Sequence, residues 1–233
     1  IVTTAVEHDS VLAVCRYLQR MHRYDVDVLP VDSLGRVDPD AVARAVRDDT
    51  AVVSIGYANN EVGTVQDVAA IARAAGSVPV HTDAVQAAGW LPLTGTGASA
   101  LSVAGHKIGA PQGIGVLAVR GRLPLEPVLH GGGQERGRRS GTQNVAGAVG
   151  LALALELAER ERPEAAARAA AARDAFTSRV LGTVPGSRAT GDPDRRLPGL
   201  ASFTFAATSG EAVLLELERR GIVTSSGSAC AAG

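Results

Sequence analysis

The chain has 233 residues, of which 45% are apolar and 20% charged, with a net charge of −1. Such a balance fits a folded globular chain rather than a disordered one, and 3% aromatic residues with no basic excess argue against nucleic acid or an anionic membrane surface as the main partner. No apolar run approaches the ~20 residues of a membrane helix, and two cysteines, Cys15 and Cys230, make neither a disulfide framework nor a four-cysteine zinc site, so a reducing, cytoplasmic setting is expected.

Residues 1–4 open the chain as an apolar, β-branched strand. Residues 10–22 follow as a helix, with Val11, Val14, Cys15, Leu18 and Met21 on one face by their three- and four-residue spacing. Cys15 is expected in the core on that face. A strand at 26–31 comes next. Asp38-Pro39 then starts a helix, with Asp as N-cap and Pro at the first helical position. Residues 51–55 form a third strand, and a helix at 66–75 ends at Gly76, a residue suited to a left-handed cap. Strands at 78–81, 100–104 and 115–119 follow. An Ala-rich helix spans roughly residues 144–181, broken or kinked at Pro163. Residues 182–198 are rich in Gly, Pro and Arg and read as loop before a last strand at 201–205.

The repeated strand–helix–strand order predicts an α/β fold: a mostly parallel sheet flanked by helices. We divide the chain into a sheet domain over residues 1–150 and, over 151–233, a linking helix with part of a smaller C-terminal α+β domain. The chain begins within a strand and its sole methionine is Met21, so the sequence reads as an internal piece of a longer protein lacking both ends.

The composition holds one further clue. Arginine accounts for all the basic residues except Lys107. An amine can be deprotonated and can form a Schiff base, whereas guanidinium is a poor nucleophile. Ligands in open α/β sheets bind beyond the carboxyl ends of the strands. There the sequence places Asn60, then Asp83 and Gln86, then His106 and Lys107. A Schiff-base lysine with a carboxylate partner is what pyridoxal phosphate (PLP) needs, because the carboxylate keeps its pyridine nitrogen protonated. Each residue also has a plainer reading. Asp83 could cap the helix after its strand, Asn60 could be a turn residue before Gly63, His106 could be a core histidine, and His8 could flank the first helix. Motifs of zinc peptidases, P-loop proteins and serine hydrolase elbows are absent.

Six stretches then occur in one order along nearly the whole chain: Glu7-His8, Asn-Asn-Glu-Val-Gly at 59–63, His-Thr-Asp-Ala-Val-Gln at 81–86, Gly105-His106-Lys107, His-Gly-Gly-Gly-Gln-Glu-Arg-Gly at 130–137 with Arg-Ser-Gly-Thr at 139–142, and Ser-Ser-Gly-Ser-Ala-Cys at 225–230. In these the chain resembles the cysteine desulfurases of the class V aminotransferase family, PLP-dependent enzymes of fold type I, on the branch with a long cysteine loop. The resemblance implies that Lys107 carries the Schiff-base link to PLP and that Asp83 pairs with the pyridine nitrogen. It implies that His8 stacks on the ring and moves protons, Asn60 and Gln86 bond the ring hydroxyl, and His106 contacts the phosphate. Thr142 would reach the phosphate of a partner subunit, which implies a homodimer. Cys230 would take sulfur from L-cysteine as a persulfide, leaving L-alanine, and pass it to an iron–sulfur scaffold or another sulfur acceptor. A metal at Cys230 would have to be shared with a partner, since the chain offers no metal site of its own. The alternatives are a selenocysteine lyase or aminotransferase of the same class, or a non-catalytic scaffold for sulfur acceptors.

The sequence departs from the family pattern at Ala104, where a serine is usual. One phosphate contact is lost there unless Ser102 or a water replaces it. The family's N-terminal phosphate turn and its substrate-carboxylate arginine would lie outside residues 1–233, so weak PLP binding and slow or absent turnover are expected of this chain alone.

Overall fold

A computed structural model describes residues 1–227. Six strands form one sheet: β1 (Val2–Thr4), β2 (Asp27–Leu29), β3 (Val53–Ser54), β4 (Val80–Asp83), β5 (Ala100–Ala104) and β6 (Gly115–Val119), in the spatial order β2-β1-β3-β4-β5-β6. All neighbours are parallel except β5 and β6. The reason lies in the connections. Helices α1 (Asp9–His22), α2 (Pro39–Ala45) and α3 (Val68–Ala74) carry the chain back between the first four strands, whereas β5 reaches β6 through a short turn. The expected mostly parallel α/β sheet is therefore present.

Local chemistry sets the helix ends. The Asp38 carboxylate accepts from the Asp40 N–H at 3.0 Å, with Pro39 at the first helical position of α2. Asp67 accepts from the Ala70 N–H at 2.9 Å at the start of α3. Gly76, just beyond α3, adopts a φ of +60°. One core cluster lies under one sheet face, where Val2, Val53, Ile55 and Val80 pack with Val42 of α2 and Ile71 of α3, and a second gathers Ala84, Ala87, Ala88, Val103 and Leu197. Cys15 is buried on α1, as its helical position predicts.

Helix α4 (Val145–Thr183) matches the expected span within two residues and is not broken at Pro163. Pro163 forfeits its own N–H bond and crowds the Glu159 carbonyl one turn back, yet the helix continues on both sides, and the neighbouring Arg162 pairs with Glu159 at 2.7 Å. The N-cap is Asn144, which accepts from the Gly147 N–H at 2.9 Å. Residue 150 thus lies inside α4, which itself makes the connection to the C-terminal elements. The expected loop at 182–198 contains a strand, β7 (Ser187–Ala189), antiparallel to β8 (Phe203–Phe205). Ser-Arg-Ala has neither β-branched residues nor alternation, so its pairing partner rather than its own propensity makes it a strand. Phe176 of α4 meets Phe203 edge-to-face at 5.7 Å. A further helix, α5 (Gly210–Arg219), follows, and it is not among the predicted elements.

Strand β6 has β5 as its only sheet neighbour among the described residues, and Val116 and Leu117 on it are exposed.

Candidate active site

The parallel strands β1, β3, β4 and β5 bring their carboxyl ends to one edge of the sheet, and the chain leaving each of them lines a common cavity of about 450 Å³. Its volume falls within the range of small-molecule and cofactor sites. Lys107 lines this cavity with Asp83, Gln86, Asn60, His8 and His106.

His8 leaves β1 as the N-cap of α1. Its Nδ1 accepts from the Ser10 N–H at 3.2 Å and lies 2.8 Å from the Ser10 hydroxyl. It is therefore both a helix flank and a cavity residue. Asp83 is the last residue of β4, two positions further along the strand than the sequence predicts. Its Oδ1 accepts from the Val85 N–H at 2.9 Å, which caps a turn and fixes the carboxylate plane. The turn before Gly63 is held by Asn59, whose Oδ1 accepts from the N–H groups of Glu61 and Val62 at 2.9 and 2.8 Å. Asn60 is thus not needed as the turn residue.

Lys107 and His106 lie on a single 3-10 turn, Gly105–Lys107, directly after β5. Gly105 is dictated by close approach. A Cβ there would sit 2.8 Å from Ile114 Cγ2 and 2.9 Å from the Ile114 carbonyl, which accepts the Gly105 N–H. Both side chains on the turn are exposed, so His106 is not a core histidine.

One expectation changes at this site. Ala104 lines the cavity, but Ser102 does not stand in for the missing hydroxyl: it is absent from the lining, and its Oγ lies 3.2 Å from His81 Nε2. Thr142 is exposed and outside the cavity of its own chain. Cys230 lies outside the described residues, although Ser225 and Gly227, shortly before it, line the cavity.

In the sequence Glu7 stands out only as the neighbour of His8. In the structure it is a cavity residue in its own right. Burial pushes its carboxyl up to about 7, against the lowering effect of hydrogen bonds from Thr4 and Gly56, and the Asp83 carboxylate adds to the rise. Beneath the site, His81 bridges Ser54 Oγ at 2.9 Å and Ser102 Oγ, and burial pushes its imidazole down, with Asp83 partly offsetting that. Only the strand registers could have revealed that triad: Ser54 faces His81 across β3 and β4, and Ser102 faces Asp83 across β4 and β5.

Comparison with known proteins agrees along the whole length. A curated cysteine desulfurase of Gluconacetobacter diazotrophicus is 46% identical over 238 residues, covering 100% of this chain and 59% of its own length. A solved structure described as a NifS-like protein superposes with a TM-score of 0.90 at 38% identity, covering 96% of this chain and 62% of that one. Another, described as SspA in complex with cysteine, gives a TM-score of 0.81 at 32% identity, covering 99% of this chain and 65% of that one. The chain thus spans about 59% of the length of the curated relative that it matches. The model of the class-V aminotransferases matches residues 1–232. With the sheet-edge cavity and its single lysine, this places the chain in the class-V aminotransferase family.

Proposed function

We propose that this chain belongs to a PLP-dependent cysteine desulfurase that converts L-cysteine to L-alanine and takes the sulfur onto Cys230. The observation that carries the proposal is one cavity in which the chain's only lysine and Asp83 converge with Ser225 and Gly227. Cys230 follows Gly227 by three residues, a span of at most about 11 Å.

The residues present fit PLP. Lys107 supplies an amine for its aldehyde, and the oriented Asp83 carboxylate supplies a partner for a protonated pyridine nitrogen. The amides of Asn60 and Gln86 would serve the ring hydroxyl, His8 the ring face and His106 the phosphate. Bound PLP supplies an electron sink for the substrate's α-carbon. His8 is anchored through Nδ1, which leaves Nε2 to hold or move a proton in the cavity. The Cys230 thiolate attacks the substrate sulfur: an S–S bond forms, the substrate Cβ–S bond breaks, and the electron pair left on carbon takes up a proton. L-Cysteine and the enzyme thiol become L-alanine and an enzyme persulfide, with no external oxidant or reductant.

The cysteine desulfurase of Gluconacetobacter diazotrophicus and the SspA complex with cysteine support this substrate. Thr142, exposed away from its own cavity, supports a homodimer in which it serves the partner's site. We further infer a cytoplasmic enzyme whose acceptor is an iron–sulfur scaffold or another sulfur-carrying protein.

The test is a visible absorbance titration with PLP, followed by alanine release from L-cysteine. At high PLP concentration wild type should give a band that Lys107→Ala lacks, and Cys230→Ala should keep the band and lose whatever alanine release wild type shows. A band independent of Lys107, or alanine formed equally without Cys230, overturns the proposal. Because Ala104 brings no hydroxyl to the cavity, Ala104→Ser should tighten PLP binding by up to about tenfold.

A further inference from the structure

The cavity contains a second acid for which the desulfurase chemistry has no step. Glu7 Oε1 makes a 2.5 Å hydrogen bond with Thr4 Oγ1 at the end of β1, and Oε2 accepts from the Gly56 N–H at 2.8 Å just past β3. A Cβ on residue 56 would lie 3.2 Å from Oε2, so glycine is what leaves room for the carboxyl. Asn59 adds a second tie across the same gap, its Nδ2 donating to the Val6 carbonyl at 3.0 Å. These contacts lock the β1–α1 turn to the loop after β3. That turn carries His8.

The lock does not require a charge. The Thr4 hydroxyl can donate to a carboxylate or accept from a carboxylic acid, and the Gly56 N–H is satisfied by either form. The charged and titratable groups around Glu7 are Asp83 at the end of β4, His8 beside it in the chain, Cys15 on α1, and His106 and Lys107 on the turn after β5. Asp83 is the only other acid lining the cavity among the described residues. Two carboxylates would repel each other and any phosphorylated ligand.

We propose that Glu7 is a positioning residue that works as an uncharged carboxylic acid: it bridges Thr4 and Gly56, fixes the turn presenting His8, and leaves Asp83 as the single carboxylate of the cavity. A carboxyl raised to about 7 by burial is consistent with that form. The effect on PLP rests on the proposed function; the bridge itself does not.

Glutamine reproduces the acid's pattern, with its amide NH2 toward Thr4 and its carbonyl toward Gly56, and cannot ionise. Wild type, Glu7→Gln and Glu7→Ala are compared at about pH 5.5 and about pH 8.5, by unfolding of the cofactor-free chain and by PLP titration. Glu7→Gln should gain stability relative to wild type as the pH rises. Its PLP affinity should stay within about twofold of wild type at the lower pH, while Glu7→Ala loses about tenfold at both. Glu7→Gln behaving like Glu7→Ala, or showing the same pH profile as wild type, overturns the inference. Should Glu7→Ala not fold, the wild-type and glutamine proteins decide alone. Should wild type not bind PLP, the proposed function falls, and the cofactor-free unfolding profiles still decide the role of Glu7.

Discussion

On one face of the six-stranded sheet, Val2, Val53, Ile55 and Val80 are buried against α2 and α3. On the other, Ser54, His81 and Asp83 alternate with them on β3 and β4, Ser102 lies beside Asp83 on β5, and Ser54 and Ser102 join through the His81 ring. The first face uses apolar area to hold the fold. The second uses hydrogen bonds to build a floor that ends at Asp83 and the cavity. Single strands thus serve stability and site together, because successive side chains point to opposite sides. A substitution at one residue should read out mainly in folding, and at the next residue mainly in protonation.

The largest expected effect is on the apolar face. Ile55 is 1% exposed, and Ile55→Ala should cost about 4 kcal/mol in denaturant unfolding, with little dependence on pH. A strongly pH-dependent loss would show that the two faces are not separable. Glu7→Gln comes next. An acid with a raised folded-state pKa binds its proton more tightly when folded, so wild type loses stability as pH climbs from the unfolded value of 4.5 to about 7. The variant escapes that loss, and its gain relative to wild type between about pH 5.5 and about pH 8.5 should be about 2 kcal/mol. His81 gives the smallest effect, with the opposite slope. Its folded-state pKa lies below the ordinary histidine value, so stability is full above about 6.5 and declines as pH falls below it. His81→Gln should flatten that acid limb in thermal unfolding, and an unchanged limb would remove His81 as its source. Because the two slopes oppose and that of Glu7 is the larger, wild type should show a shallower profile than His81→Gln.

Much of the site is legible before the fold. Lys107 stands out as the sole lysine, and the strand order alone brings Asn60, Asp83, Gln86, His106 and Lys107 to one edge. Those are local signals: a strand, then the polar residues that follow it. Glu7 carries no such signal, since its environment is made by Thr4, by the backbone of Gly56 and by Asp83, which meet it only across the sheet. The Ser54–His81–Ser102 row is hidden for the same reason, and without it Ser102 passes for a spare phosphate hydroxyl. Strand β7 escapes a sequence reading because its pairing with β8 outweighs a segment without strand propensity. Pro163 misleads in the other direction, since a helix of 39 residues tolerates one missing N–H. Cys230, the residue proposed to take the sulfur, lies outside the described residues.

Strand β6 has a practical consequence. Gly-Val-Leu-Ala-Val carries no charge, proline or bulge, and its outer edge is unpaired among the described residues. Proteins commonly guard such edges, because a bare row of backbone donors and acceptors templates the strands of other molecules. In residues 1–233 taken by themselves, the strands of other molecules would therefore pair first at β6. A lysine at the exposed position of Leu117 is the simplest gatekeeper against it.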